Sequence, residues 1–136
     1  MPIVIDTSIT MAWCFDDEAT DETDAVLDQL RQDEAVVPTV WHLEVANVLL
    51  VAERRKRMSE AQAARFVDLL GRLPIRTDAA TTDTSAVLAA GRRYGLSAYD
   101  AAYLVLAERV AAPLATLDTK LAAACRAAGV PLLISA

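Results

Sequence analysis

Ile3-Val4-Ile5-Asp6 opens the chain with three β-branched residues running directly into a carboxylate. β-Branched residues favour an extended, pleated backbone, so residues 2–6 are predicted to be a strand with Asp6 at its carboxyl end. The same arrangement recurs near the other terminus. There Leu114-Ala115-Thr116-Leu117 reads as a strand over 114–117 and Asp118 follows it. Between these two runs, strand-like and helix-like patterns alternate. Helices are predicted over 8–15, 21–32, about 40–57, from Ser59 to near Gly71, and over 82–94, 98–110 and 119–128. Short strands are predicted at 35–37, 75–77 and 131–134, giving about five in all. Thr39 and Ser97 are placed to cap helices, Ser59-Glu60-Ala61-Gln62 has the form of a capping box, and Gly95 and Gly129 end helices. Strands alternating with helices imply an α/β fold, with a mainly parallel central sheet and helices on both faces. Such sheets bind ligands just beyond the carboxyl ends of their strands, where Asp6 and Asp118 both fall.

The chain has 136 residues, of which 54% are hydrophobic, enough for one core, so residues 1–136 are expected to form a single domain. Its apolar stretches are interrupted well before the roughly 20 residues of a membrane span, and the N-terminus lacks a signal-type segment. A cytoplasmic protein with no membrane association is expected. Cys14 and Cys125 lie in helical pattern, with nothing resembling C-x-x-C, and are read as free thiols. The net charge of −6 argues, taken alone, against a nucleic-acid partner. The charges are segregated, however. Acids crowd between Asp16 and Asp28, whereas bases gather at Arg54-Arg55-Lys56-Arg57, Arg92-Arg93, Lys120 and Arg126. Asp16-Asp17-Glu18 is read as a solvated loop, and Arg54 to Arg57 as a solvated helix end that could also touch an RNA backbone.

Two further acids stand in apolar company. Glu44 shares a helical stripe with Val40, Trp41, Val48 and Val51, and Asp100 shares one with Leu96, Tyr103, Leu104 and Ala107. Each of the four acids has an ordinary structural reading: Asp6 and Asp118 as helix caps, Glu44 as the partner of a buried arginine, Asp100 as a first-turn acid. Together they suggest a shared site. Two carboxylates about 4 Å apart repel by roughly 4 kcal/mol at an effective dielectric near 20, and a divalent cation reverses that sign. Oxygen-only ligands select Mg²⁺ or Mn²⁺, and the absence of a Cys or His pair makes zinc a poor fit. His42, the single histidine, and Trp13 and Trp41 are read as packing residues.

Four segments resemble, in order, the motifs of PIN-domain ribonucleases, and among these the VapC toxins of type II (VapBC) toxin–antitoxin pairs. They are Val4-Ile5-Asp6-Thr7-Ser8 with Trp13 and Glu18 downstream, Val37-Pro38 followed by Glu44-Val45-Ala46-Asn47-Val48-Leu49, Leu96-Ser97-Ala98-Tyr99-Asp100-Ala101-Ala102-Tyr103, and Leu114-Ala115-Thr116-Leu117-Asp118. The resemblance implies a three-layer α/β/α PIN-like fold and an acidic quartet of Asp6, Glu44, Asp100 and Asp118 that binds Mg²⁺ or Mn²⁺. Asp6 and Asp100 would be direct ligands, and Glu44 or Asp118 would orient the attacking water. Ser8 and Thr116 would support the quartet by hydroxyl hydrogen bonds. The implied reaction is endonucleolytic hydrolysis of RNA, tRNA among the candidates, leaving a 5′-phosphate and a 3′-hydroxyl and so inhibiting translation. The implied partners are a VapB-like antitoxin and a second copy of the chain, met through apolar helix faces near Trp41 or within residues 61–70. Two other readings stay open at this point: a non-catalytic PIN-like binding module, and a phosphatase with Asp6 as nucleophile.

Overall fold

A computed structural model describes residues 1–80 and 82–134. In chain order the elements are β1 (Ile3–Ile5), α1 (Thr7–Cys14), a 3-10 helix (Asp16–Glu18), α2 (Asp21–Gln29), β2 (Ala35–Val37), α3 (Val40–Arg54), α4 (Glu60–Gly71), β3 (Ile75–Thr77), α5 (Thr84–Tyr94), α6 (Ala98–Val110), β4 (Leu114–Ala115) and α7 (Thr119–Ala128). The four strands form one sheet in the order β3-β2-β1-β4, and every pairing is parallel. Consecutive residues of β1, β2 and β4 are all buried, so both faces of the sheet are covered, as parallel sheets require. Ile3, Ile5, Ile9, Tyr103, Leu104, Leu114 and Leu121 fill the centre of the core. Full burial of each such aliphatic side chain is worth about 1.5–3 kcal/mol.

The fifth predicted strand, 131–134, is reduced to a single parallel bridge between Leu132 and Leu114. Leu114 donates to the Pro131 carbonyl and Leu133 donates to the Leu114 carbonyl, but Pro131 has no N–H with which to extend the ladder. The predicted 114–117 strand stops at Ala115, because Thr116 and Leu117 turn toward the first helix instead. Ser59 and Gln62 form the expected capping box, and Ser97 caps α6. Thr39 does not cap α3. Its own backbone is already helical (φ −58°, ψ −31°), and the turn begins with Trp41 N–H donating to the Pro38 carbonyl.

Two contacts tie α1 to α3, one near the start of each helix and one past their ends. The Trp41 indole N–H of α3 donates to Thr10 Oγ1 (3.0 Å), and Thr10 Oγ1 donates to the Asp6 carbonyl (3.1 Å). Arg57 reaches from the α3–α4 turn to Asp17 (2.7 Å) and Glu18 (3.1 Å), with its guanidinium 3.9 Å from the centre of the Phe15 ring. Asp16–Glu18 is therefore a helical turn anchored by an arginine rather than a free loop. Arg54, Arg55 and Lys56 remain exposed as predicted. Cys14 and Cys125 are both free thiols, and burial pushes Cys125 up to about 11. No helix among the described residues is long and apolar enough to cross a membrane.

Candidate active site

Parallel pairing of β1 with β4 sets Val4 beside Leu114 and Ile5 beside Ala115, so the residues leaving these strands, Asp6 and Thr116, meet at the same rim. Thr116 Oγ1, wholly buried, donates to Asp6 Oδ2. Ser8 Oγ donates to Asp6 Oδ1 at 2.6 Å, and the Ile9 backbone N–H donates to the same oxygen at 3.1 Å. Asp6 thus caps α1 and faces the rim at once, so the cap does not exclude a role at the rim. Burial is the main cause that raises its carboxyl from 3.8 to about 6, and the Asp118 charge adds to it. The hydrogen bonds from Ser8, Thr116 and Ile9 pull the other way.

Asp118 caps α7, its Oδ1 accepting from the backbone N–H groups of Lys120 (2.8 Å) and Leu121 (3.1 Å). Its own N–H donates to Thr116 Oγ1 (3.0 Å), and Leu117 N–H donates to Ser8 Oγ (2.9 Å). Ser8 and Thr116 are therefore the two hydroxyls that stitch the first and last acidic segments together. Replacing Thr116 with valine keeps the shape and removes the donor to a buried carboxylate oxygen. The expected cost is about 1–3 kcal/mol of stability, read as a lower urea midpoint with unchanged m-value.

Glu44 and Asp100 approach the rim from α3 and α6. Glu44 is half-buried, one step around α3 from a seam of fully buried Trp41, Val45, Leu49 and Ala52. No arginine meets it. Its Oε1 accepts from Tyr103 Oη (2.6 Å) and from Thr7 Oγ1 (3.1 Å). Asp100 lies in the first turn of α6 with its carboxyl raised by burial, then by the charges of Asp118 and Glu44. A hydrogen bond with Ser97 and the Lys120 ammonium oppose that rise. Burial pushes the Tyr103 phenol far above its usual range, and its bond to Glu44 and the charges of Glu44 and Asp6 add to that, so it stays a protonated donor. Asp118 thus lies near enough to act on both Asp6 and Asp100, and Glu44 near enough to act on Asp100 and Tyr103. Thr7 and Tyr103 are the members that the sequence reading passed over. Tyr103, three residues after Asp100 on one helical face, counts in the sequence as part of an apolar stripe, and Thr7 stands within its motif without an assigned role.

Among the described residues, none of the four carboxylates makes an ion pair. No three acidic, His or Cys groups among them are already drawn closely enough together to close around an ion. The donor set nonetheless suits a hard divalent cation: oxygen ligands only, and a buried carboxyl whose proton affinity is raised by burial and by the neighbouring Asp118 charge. Glu44 takes two hydroxyl donors on Oε1, from Thr7 and Tyr103. His42 takes no part; its Nε2 pairs with Thr77 Oγ1 at 2.7 Å, and its ring packs edge-on against Trp41.

Comparison with known proteins places these residues in a family context. The family described as PIN domain matches residues 3–127. The chain is 29% identical over 126 residues to Ribonuclease VapC3 of Pyrobaculum aerophilum, covering 90% of this chain and 93% of that one. Similar folds are seen in PAE2754 from Pyrobaculum aerophilum (TM-score 0.71, 22% identity, 91% of this chain and 79% of that chain) and in a toxin–antitoxin complex from Klebsiella pneumoniae (TM-score 0.69, 19% identity, 98% and 99%). At these identities the two structures speak for the fold alone.

Proposed function

The chain belongs to the PIN domain family, and on that premise we propose that it is a divalent-metal-dependent endoribonuclease acting as the toxin of a toxin–antitoxin pair. What supports this reading most is the carboxyl rim of a parallel sheet, where Ser8 and Thr116 join the Asp6 and Asp118 segments by hydrogen bonds and where Glu44 and Asp100 approach from α3 and α6. The similarity to Ribonuclease VapC3 supports the substrate class. The whole of residues 1–136 is read as one such domain.

Mg²⁺ or Mn²⁺ would be held by Asp6 and Asp100, with Glu44 and Asp118 completing the site. When bound, the ion would polarise the scissile phosphate and make water nucleophilic at neutral pH. The chain itself supplies orientation. Ser8, Thr116 and the Ile9 N–H fix both oxygens of Asp6, while Asp118 is held by the first turn of α7. Glu44 or Asp118 orients the attacking water, and no side chain needs to act as nucleophile. A phosphatase with Asp6 as nucleophile is the weaker reading, because that chemistry usually wants a second acid two residues on, where this chain has Ser8.

A VapB-like antitoxin is the proposed partner, consistent with a fold neighbour solved as a toxin–antitoxin complex. Homodimerisation is proposed through the apolar outer faces of α3 and α4. The exposed Val67 lines a groove of about 360 Å³ there with Trp41, Val45, Leu49 and Leu70.

Incubation of the purified protein with RNA in Mg²⁺ tests the reading. Cleavage leaving 5′-phosphate and 3′-hydroxyl ends, abolished by EDTA and restored by Mn²⁺, is the expected result. A chain that neither cleaves RNA nor binds Mn²⁺ would instead be a non-catalytic binding module.

A further inference from the structure

Tyr103 is 1% exposed, yet its hydroxyl is not spent on the core. It donates to Glu44 Oε1 at 2.6 Å, from a residue 59 positions away in sequence. Thr7 Oγ1 donates to the same oxygen at 3.1 Å and stands 3.2 Å from the Tyr103 hydroxyl. Each hydroxyl carries one proton, so the three groups form a triangle with Glu44 Oε1 as the shared acceptor. Neither bond involves Oε2. The phenol is a rigid donor on a buried ring, and a hydrogen bond from a neutral donor to a carboxylate is short and directional. A glutamate with three free torsions is thereby reduced to one presented oxygen.

We infer that Tyr103, seconded by Thr7, is a positioning residue that pins Glu44 through Oε1 and offers only its Oε2 to the reaction centre. This rests on the nuclease reading above and deepens it. Without the pin, Glu44 can swing and present both oxygens to an ion. That arrangement binds the ion no less well but takes Glu44 out of the geometry the reaction needs. Ion affinity and turnover should therefore separate when the pin is cut.

The test compares wild type with Tyr103→Phe, which keeps the ring and its packing, and with Thr7→Val. Mn²⁺ affinity is read by calorimetry on the metal-depleted proteins, and kcat and KM on an RNA that the wild type cleaves. Tyr103→Phe is expected to lower kcat by roughly 10–100-fold, the usual range for groups that orient ligands. KM should stay within about twofold and Mn²⁺ should bind at least as tightly as to wild type, within about twofold. Thr7→Val should shift in the same direction by less. The double variant should lose no more kcat than the product of the singles, because both act on one oxygen. The inference is overturned if kcat stays within about twofold, if KM moves beyond that range, or if Mn²⁺ affinity falls together with kcat, since the phenol would then merely prop the site. Should the wild type cleave no RNA, the nuclease reading falls and this inference with it, whereas a wild type that cleaves beside a Tyr103→Phe variant that cleaves equally well overturns this inference alone.

Discussion

Asp6→Asn is expected to reduce RNA cleavage on the order of a thousandfold, because the charge stabilisation a bound ion supplies is several kcal/mol and about 4 kcal/mol corresponds to that factor. The same substitution is expected to stabilise the ion-free protein. Burial, with Asp118 adding, holds the Asp6 carboxyl at about 6 against an ordinary 3.8, so between those values the folded chain binds this proton more tightly than the unfolded chain does. Stability from this group is therefore greatest in acid. It declines as pH rises toward about 6 and is level above that. The full difference corresponds to about 1–3 kcal/mol. Asparagine stays neutral, and its side-chain oxygen can still accept from Ser8 and Ile9. Wild type and variant should unfold at similar urea concentrations near the acid end and diverge toward pH 7 in EDTA, with the variant the more stable. Equal stability at neutral pH would remove the charge-strain account of this site, and undiminished cleavage would remove Asp6 from the chemistry.

The second large effect is stabilisation by the ion. At a hundredfold excess over its Kd, Mn²⁺ should stabilise the wild-type fold by about 2.7 kcal/mol, provided it binds the folded chain alone. Asp100→Asn should lose most of that gain. Asp100 feels both Asp118 and Glu44, so it lies where the like charges meet and where an ion would relieve most repulsion. Thermal unfolding in EDTA and across a Mn²⁺ series reads this directly. A melting temperature indifferent to Mn²⁺ would count against all four acids as ligands.

The alternation of strands and helices was legible because local rules wrote it. Ser59 with Gln62, Ser97, Gly95 and Gly129 mark helix ends through their own short-range bonds and backbone freedom. The carboxyl-rim position of Asp6 and Asp118 followed from the same rules. Thr39 misled because Pro38 and Thr39 already belong to the helical turn, a matter of backbone angles that residue type alone does not set. Residues 131–134 have the composition of a strand, but Pro131 leaves the ladder one bridge long. Thr7 and Tyr103 were hidden for a different reason. Their partner Glu44 is 37 and 59 residues away, and helical periodicity tells which face Tyr103 shares with Asp100 but not which carboxylate its hydroxyl will meet. Trp41 is the same case, since its stripe foretold burial but not the Thr10 acceptor beneath its indole.

The bond between Asp6 and Thr116 spans 110 residues, and β4 completes the sheet only by docking beside β1. During synthesis, then, the first hundred residues can leave the ribosome with Asp6 and Glu44 in hand but no neighbour for the open side of β1. A rim assembled in this order is complete only once the two ends of the chain have met.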